Sequence, residues 1–207
     1  MRLILASTSP RRKVLLERLG IPFDIIAPRY QEVMTPNLTA EQQVVAFALG
    51  KARSIGIADA FVLGSDTLVV VDDLILGKPA DIADARRMLT LLRGRTHRVI
   101  TGVALIIPRG DGLVGAIHAC PITSGESPLL WHEVTEVRMR DMSNEQIEWY
   151  LTTEEPFDKA GAYAIQGIGG QFIEQVNGNI DNVIGLPLQS VAAALQRYGF
   201  AISGTLK

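Results

Sequence analysis

The stretch Phe61-Val62-Leu63-Gly64-Ser65-Asp66-Thr67-Leu68-Val69-Val70-Val71 is apolar at both ends and polar in the middle. Its Val and Leu residues favour an extended chain, so the stretch reads as a strand. The polar tetrad Gly64-Ser65-Asp66-Thr67 is expected to interrupt that strand. Asp72-Asp73 then gives a tight turn, and residues 74–76 return as a hairpin partner. A hairpin here argues against a purely parallel sheet.

On the amino-terminal side, residues 3–6 read as a buried strand. It runs into Ser7-Thr8-Ser9-Pro10 and then a helix over residues 11–19 that Gly20 stops. Ser9 suits the N-cap and Pro10 the first helical position. Residues 23–27 form a second strand. Thr39-Ala40-Glu41-Gln42 has the form of a capping box opening a helix that carries Val44, Phe47, Ala48 and Lys51. On the other side, Asp81 caps a helix to Arg93, and Gly94 ends it. Residues 97–107 and 131–141 read as long strands, with an insertion-like loop over 108–130 between them. Ser143-Asn144-Glu145-Gln146 is a second capping box for a helix to Leu151. Residues 161–170 are glycine-rich and turn-dominated. Residues 172–176 form a strand ending at Asn177-Gly178, a hairpin signal, and 188–198 form the last amphipathic helix. Strands and helices interleave without a strict βαβ rhythm, so the expected class is α/β with a mixed sheet flanked by helices.

Hydrophobic residues make up 47% and charged residues 20% of the 207 residues, the balance of a globular chain able to bury a core. The net charge of −2 argues against a general nucleic-acid binder, whose phosphate contacts show as a basic excess. It leaves room for a small polyanion in a locally basic pocket. The lone cysteine, Cys120, excludes an intrachain disulfide and fits a reducing compartment. Cys120 lies two positions from His118 in a Gly/Pro/Ser-rich stretch and reads as an ordinary loop residue. No apolar run reaches the length of a signal peptide or a membrane span, so a cytoplasmic protein is expected.

Three constellations can carry chemistry. Ser7-Thr8-Ser9-Pro10-Arg11-Arg12 stands between a strand and a helix, where free backbone N–H groups attract anions and guanidinium groups pair with phosphate oxygens. By itself it reads first as a capped helix with two solvated arginines. Asp66, held by a hydrophobic strand, is placed as a catalytic base or metal ligand would be, although a turn aspartate has the same signature. Lys78, in Leu76-Gly77-Lys78-Pro79, can reach a phosphate. Glu154-Glu155-Pro156-Phe157-Asp158-Lys159 leads to Tyr163-Ala164-Ile165-Gln166-Gly167, which offers acids, a close-approach turn and, in Gln166, both a donor and an acceptor for a base edge. The bland alternative is a polar surface loop. His97, His118 and His132 show no metal-ligand spacing. Cations at several separate positions and carboxylates at others suit a metal-bound triphosphate. No Walker A run and no Rossmann fingerprint is present.

With these residues in view, the sequence resembles the Maf family of nucleotide pyrophosphatases over nearly its whole length. Leu5 to Arg12 is similar to the family's amino-terminal signature. Gly64-Ser65-Asp66-Thr67-Leu68-Val69-Val70 with Leu76-Gly77-Lys78-Pro79 is similar to its central one. Asp158 to Gly167 and Asn182-Val183-Ile184-Gly185-Leu186-Pro187 are similar to its carboxy-terminal pair. The resemblance implies one ITPase-like (Maf-like) domain over residues 1–207, with a long mixed sheet, a cleft between two lobes, and often a dimer. It implies hydrolysis of a nucleoside triphosphate to the monophosphate and pyrophosphate with a divalent cation, Mg2+ or Mn2+. On that model Asp66 is the proton acceptor. Ser7, Ser9, Arg12, Lys51 and Lys78 hold phosphates, and Glu32, Glu155 and Asp66 are the candidate metal or water-orienting carboxylates.

Three positions divide substrate classes in the family, and here they read Arg11, Thr67 and Gln166. That trio is similar to the branch acting on dTTP and UTP. A branch acting on 7-methyl-GTP has a tryptophan where Arg11 stands, and an arginine repels a cationic base. The rival from another class is a nucleotide-binding regulator of cell division that needs no turnover. The segment 108–130 is longer than the family's usual connection and is expected to be a surface insertion.

Overall fold

Burial on both faces explains the continuous apolar character of β3 (Phe61–Val71), in which every residue is buried except the half-buried Thr67. A computed structural model describes residues 1–108 and 128–204. In chain order the strands are β1 (Leu3–Ala6), β2 (Asp24–Ile26), β3, β4 (Leu74–Leu76), β5 (Thr96–Ile106), β6 (Leu129–Met139) and β7 (Ile173–Asn177). The helices are α1 (Pro10–Glu17), α2 (Ala40–Arg53), α3 (Ile82–Leu92), α4 (Asn144–Leu151), α5 (Ile180–Ile184) and α6 (Leu188–Arg197). Short 3-10 turns span Glu155–Asp158, Ala160–Ala162 and Ile168–Phe172. The sheet runs in the order β2-β1-β3-β5-β6-β7, with β4 paired to β3. β1 is parallel to β2 and β3, and the other pairs are antiparallel. The expected mixed sheet is present.

Local signals set the helix starts. Ser9 caps α1 with Pro10 at its first turn, and Thr39 and Ser143 complete reciprocal capping boxes with Gln42 and Gln146. Asp81 caps α3 by accepting the Asp84 N–H at 2.8 Å, and Gly94 beyond its end takes φ +67°.

Three expectations need correction, and one element was not expected. The polar tetrad does not break β3, which pairs with β5 from Val62 to Val70 without a gap. Asn177-Gly178 does not make a hairpin: β7 pairs with the preceding β6, and Gly178 at φ +129° turns the chain into α5, capped by Asn179. Leu129 and Leu130 belong to β6 rather than to the loop before it. The five-residue α5 had no counterpart in the sequence reading, being too short to show a helical period. Cys120, His118 and the rest of 109–127 lie outside the described residues.

Strand periodicity divides the core. Phe61 and Leu63 of β3 join Leu3, Leu5, α1 and α6 in one buried cluster. Val69 and Val71, on the same sheet face, join α3, α4 and β7 in a second. Between them, on that face, stand Ser65 and Thr67. The opposite face is covered by α2 through Ala48, Ala52, Val44 and Phe47. Among the described residues no helix is long and apolar enough to cross a membrane.

Candidate active site

The site originates in a mismatch of strand lengths. β1 pairs with β3 only from Phe61 to Gly64, and β4 pairs with it only from Val69 to Val71. Residues 65–68 therefore have no strand beside them on that edge, among the described residues. The interruption expected within β3 lies in its neighbours instead. A cavity of about 520 Å³ opens there, at the carboxyl end of β1. Ser7, Ser9, Arg11, Arg12, Glu32, Lys51, Asp66, Thr67, Lys78 and Gln166 all line it.

Asp66 points to the α2 face, where two glycines bring the helix close. A Cβ at Gly64 would stand 2.2 Å from the Ala48 carbonyl oxygen, and one at Gly102 would stand 2.6 Å from that of Val44. Gly102 is also the residue facing Asp66 across the β3–β5 pair. Lys51 follows Val44 and Ala48 on the same helical stripe, so this seating brings its ammonium onto the Asp66 carboxylate. The same ammonium pairs with Glu32 at 2.7 Å. Asp66 is only 5% exposed, and its burial raises its pKa even though Lys51 and Arg12 pull it down. Burial also pushes Glu32 upward, but there the Lys51 hydrogen bond and the charges of Lys51, Lys78 and Arg12 win, and its pKa is lowered. Two carboxylates on one lysine thus differ in basicity, and the more basic is the better buried.

On the opposite sheet face, Arg12 is fixed by two hydrogen bonds. Its Nε donates to the Gly185 carbonyl at 2.8 Å and its Nη2 to Thr67 Oγ1 at 3.2 Å. Ser65 Oγ donates to the same carbonyl at 2.9 Å. The Thr101 hydroxyl donates to the Asn182 carbonyl at 2.7 Å, so the Thr67 hydroxyl, 3.0 Å from Thr101 Oγ1, donates to Thr101. The turn after α5 and the strand edge together aim one guanidinium into the cavity. At the amino end of α1, Ser7 Oγ accepts the Ser9 N–H at 3.1 Å, and Ser9 Oγ accepts weakly from the Arg12 N–H at 3.5 Å.

Glu155 is not brought to the others. It does not line the cavity; its carboxylate accepts from the Tyr150 hydroxyl and from the N–H groups of Ile168 and Gly169, at 2.8 to 2.9 Å. Conversely, Asp158, Lys159 and Tyr163, which the third constellation contains without an individual role, line the cavity, and so does Tyr30, which no motif contains. Asp158 and Lys159 could have been found, because they stand inside the motif that also carries Gln166. Tyr30 had no such signal, since its ring is seated against the bare Cα of Gly50, 20 residues away. Five cationic side chains (Arg11, Arg12, Lys51, Lys78, Lys159) face three carboxylates (Glu32, Asp66, Asp158), a setting for a bound polyanion.

A family model described as Maf-like protein matches residues 2–198. The chain belongs to the Maf family. Its Maf relatives include the dTTP/UTP pyrophosphatase of Symbiobacterium thermophilum, 45% identical over 203 residues, 97% of this chain and 96% of that protein. The dTTP/UTP pyrophosphatase of Moorella thermoacetica is 45% identical over 206 residues, 98% of each chain. Among solved structures, a HAM1 protein from Coxiella burnetii matches with a TM-score of 0.51 at 14% identity, over 95% of this chain and 98% of that one. At that identity the likeness speaks for the fold alone, and it agrees with the ITPase-like architecture expected for a Maf chain.

Proposed function

We propose that the chain hydrolyses dTTP and UTP between the α and β phosphates, releasing the nucleoside monophosphate and pyrophosphate. The observation that carries this reading is Asp66, a buried carboxylate of raised basicity at the unpaired edge of β3, in a cavity lined by five cationic side chains. A water attacks the α phosphorus and its proton passes to Asp66. The bond from that phosphorus to the bridging oxygen breaks, and pyrophosphate leaves with the bonding electrons. Arg12, Lys78 and the serines at the start of α1 hold the phosphate oxygens, and Lys51 keeps Asp66 and Glu32 in place. Lys159, beside them, is a further cation for the leaving group.

A divalent cation fits this donor set only in part. Among the described residues no group of three His, Cys, Asp or Glu side chains could hold a metal. Asp66 and Glu32 supply two carboxylates on one side, and Mg2+ or Mn2+ commonly takes its remaining ligands from substrate phosphates and water. When bound there with the nucleotide, the cation would withdraw electron density from the phosphate oxygens. Glu155, spent on backbone donors, is not part of this set.

Base selection is assigned to Arg11, Thr67 and Gln166. The Gln166 carboxamide makes no hydrogen bond to other described residues and has both a donor and an acceptor to offer. Arg11, 3.6 Å from Asp158 at the cavity, opposes a cationic base. This reading treats residues 1–207 as one Maf domain.

The test is pyrophosphate release from dTTP, UTP, CTP, GTP and 7-methyl-GTP, with Mg2+ or Mn2+ and with chelator. Release led by dTTP and UTP and lost with chelator supports the reading. Preference for 7-methyl-GTP would overturn the base assignment and keep the chemistry. No release from any of them would favour a regulator that binds without turnover. Asp66→Asn should abolish release while nucleotide still binds, and Gln166→Ala should flatten the ranking among bases.

A further inference from the structure

The carboxylate of Glu155 has the surroundings of a cap. The 3-10 turn Ile168–Phe172 has no side-chain cap of its own, because Gly167 precedes it. Its first two N–H groups are taken by Glu155 instead: Ile168 N–H on Oε2 at 2.9 Å and Gly169 N–H on Oε1 at 2.8 Å. A carboxylate at the amino end of a helical turn is favoured by the exposed N–H dipoles as well as by the bonds themselves. The Tyr150 hydroxyl donates to Oε1 at 2.8 Å from a ring with no exposure. Lys159 Nζ donates to the Glu155 carbonyl at 2.8 Å.

Gly167 shows that the turn is wrapped around this group. Its φ is +146°, and a Cβ there would stand 2.2 Å from Glu155 Oε2. The carboxylate occupies the space a side chain would need. Three donors on two oxygens leave little capacity for a cation. The net effect on Glu155 is a lowered pKa: burial raises it, but the Gly169, Tyr150 and Ile168 hydrogen bonds prevail. Gln166 directly precedes Gly167, and it lines the cavity while Glu155 does not.

We infer that Glu155 is a positioning residue rather than a metal ligand: by folding the Gly167–Gly169 turn around its carboxylate, it sets where Gln166 meets the nucleotide base. The inference rests on Gln166 being the base reader. A carboxamide offers a donor and an acceptor a short distance apart, and it tells one base from another only if its own position is held. Glu155 holds it from the side away from the ligand.

The experiment uses the full chain with Glu155→Gln, Tyr150→Phe, Gln166→Ala and the Glu155→Gln/Gln166→Ala double variant. Steady-state kinetics on dTTP and CTP are measured, together with the Mn2+ concentration giving half-maximal rate. Glu155→Gln replaces one acceptor oxygen by a donor that faces an N–H. It is expected to reduce the dTTP-over-CTP preference in kcat/KM by about tenfold, mostly through KM, as expected for a lost charge-assisted bond. The Mn2+ midpoint should stay within about twofold, because no metal ligand is removed. Tyr150→Phe removes only the third donor and cannot reach nucleotide or metal from the core. It should move the preference in the same direction by less, and it decides the matter if Glu155→Gln does not fold.

An Mn2+ midpoint raised about tenfold or more with the ranking intact would overturn the inference in favour of a metal role. An unchanged ranking in Tyr150→Phe and Glu155→Gln would overturn it as well. In the Gln166→Ala background Glu155→Gln should have no further effect on ranking, and an additive effect would show that it acts by another route. If Gln166→Ala alone leaves the ranking intact, the base-reader assignment is what fails.

Discussion

Gly102 does not line the cavity and has no side chain to offer the reaction, yet Gly102→Ala is predicted to disable the enzyme. The added Cβ would meet the carbonyl carbon and oxygen of Val44 at 2.6 Å and the nitrogen of Val45 at 2.7 Å, where ordinary contact begins near 3.4 Å. These are backbone atoms of α2, so no side chain can swing away, and the helix must retreat by about 0.8 Å, the difference between those distances. Overpacking of this kind destabilises by roughly 1–3 kcal/mol. The larger effect is on geometry, because the same helix carries Lys51, which holds both Asp66 and Glu32. Displacing a catalytic group by nearly 1 Å is expected to reduce kcat/KM by about 100-fold. The assay is pyrophosphate release at a temperature well below both melting points, with urea denaturation in parallel. Leu195→Ala, in the core cluster by α6 and with no exposure, serves as the stability control. It should destabilise by about 2–5 kcal/mol and leave turnover near wild type at the same temperature. If Gly102→Ala loses stability but turns over normally when folded, the seating of α2 on the sheet does not set the Asp66–Lys51 geometry, and the argument is refuted.

Three further outcomes follow from the same contacts. Lys51→Met removes a charge that lowers the Asp66 pKa, so the acid limb of the kcat/KM profile should move to higher pH; an unmoved limb would mean Asp66 is not the titrating base. His97, 2% exposed with Nε2 2.7 Å from the Tyr163 hydroxyl, has its pKa lowered by burial from 6.5 to about 4. The unfolded chain therefore binds the extra proton first: the stability from neutral His97 is complete above about pH 6.5 and is lost as pH falls towards 4, by ~3 kcal/mol. Urea melts of wild type and His97→Asn between pH 7 and 4 should diverge by about that amount, and parallel curves would contradict it. Arg12→Lys cannot satisfy the Gly185 carbonyl and Thr67 together in the guanidinium geometry. It should lower kcat/KM by about 100-fold although the charge is kept, and near-normal kinetics would show that charge alone suffices.

The contrast between what the sequence disclosed and what it withheld follows the range of the interactions. The caps at Ser9, Thr39, Asp81 and Ser143 are bonds between residues three apart, so composition at fixed offsets reveals them. The hairpin at Asp72-Asp73 is local too. The unpaired edge of β3 is different, because it depends on where β1 and β4 stop, which no property of residues 65–68 records. The polar tetrad was visible, and its meaning as an edge facing a cavity was not. Gly178 was read as a hairpin turn because positive φ is all a glycine announces; whether a strand or a helix follows is settled by Asn179 and by β6. Glu155 was grouped with the metal carboxylates because its partners, apart from Tyr150, are backbone N–H groups 13 and 14 residues on, to which side-chain identity gives no clue.

The charges of the cavity make one argument about the order of events. Each carboxylate lining it already has a cation: Asp66 and Glu32 share Lys51, and Asp158 contacts Arg11 and Lys159. Arg12 and Lys78 are not engaged in ion pairs with carboxylates among the described residues. An incoming triphosphate therefore meets these two cations first, while the pairs around Asp66 and Asp158 must be partly exchanged before the reacting phosphate can approach. A divalent cation bound with the nucleotide would ease that exchange, and Asp66 and Glu32, which share the single charge of Lys51, are the carboxylates that would hold it. The site's small positive excess suits such a partly neutralised anion better than a bare one.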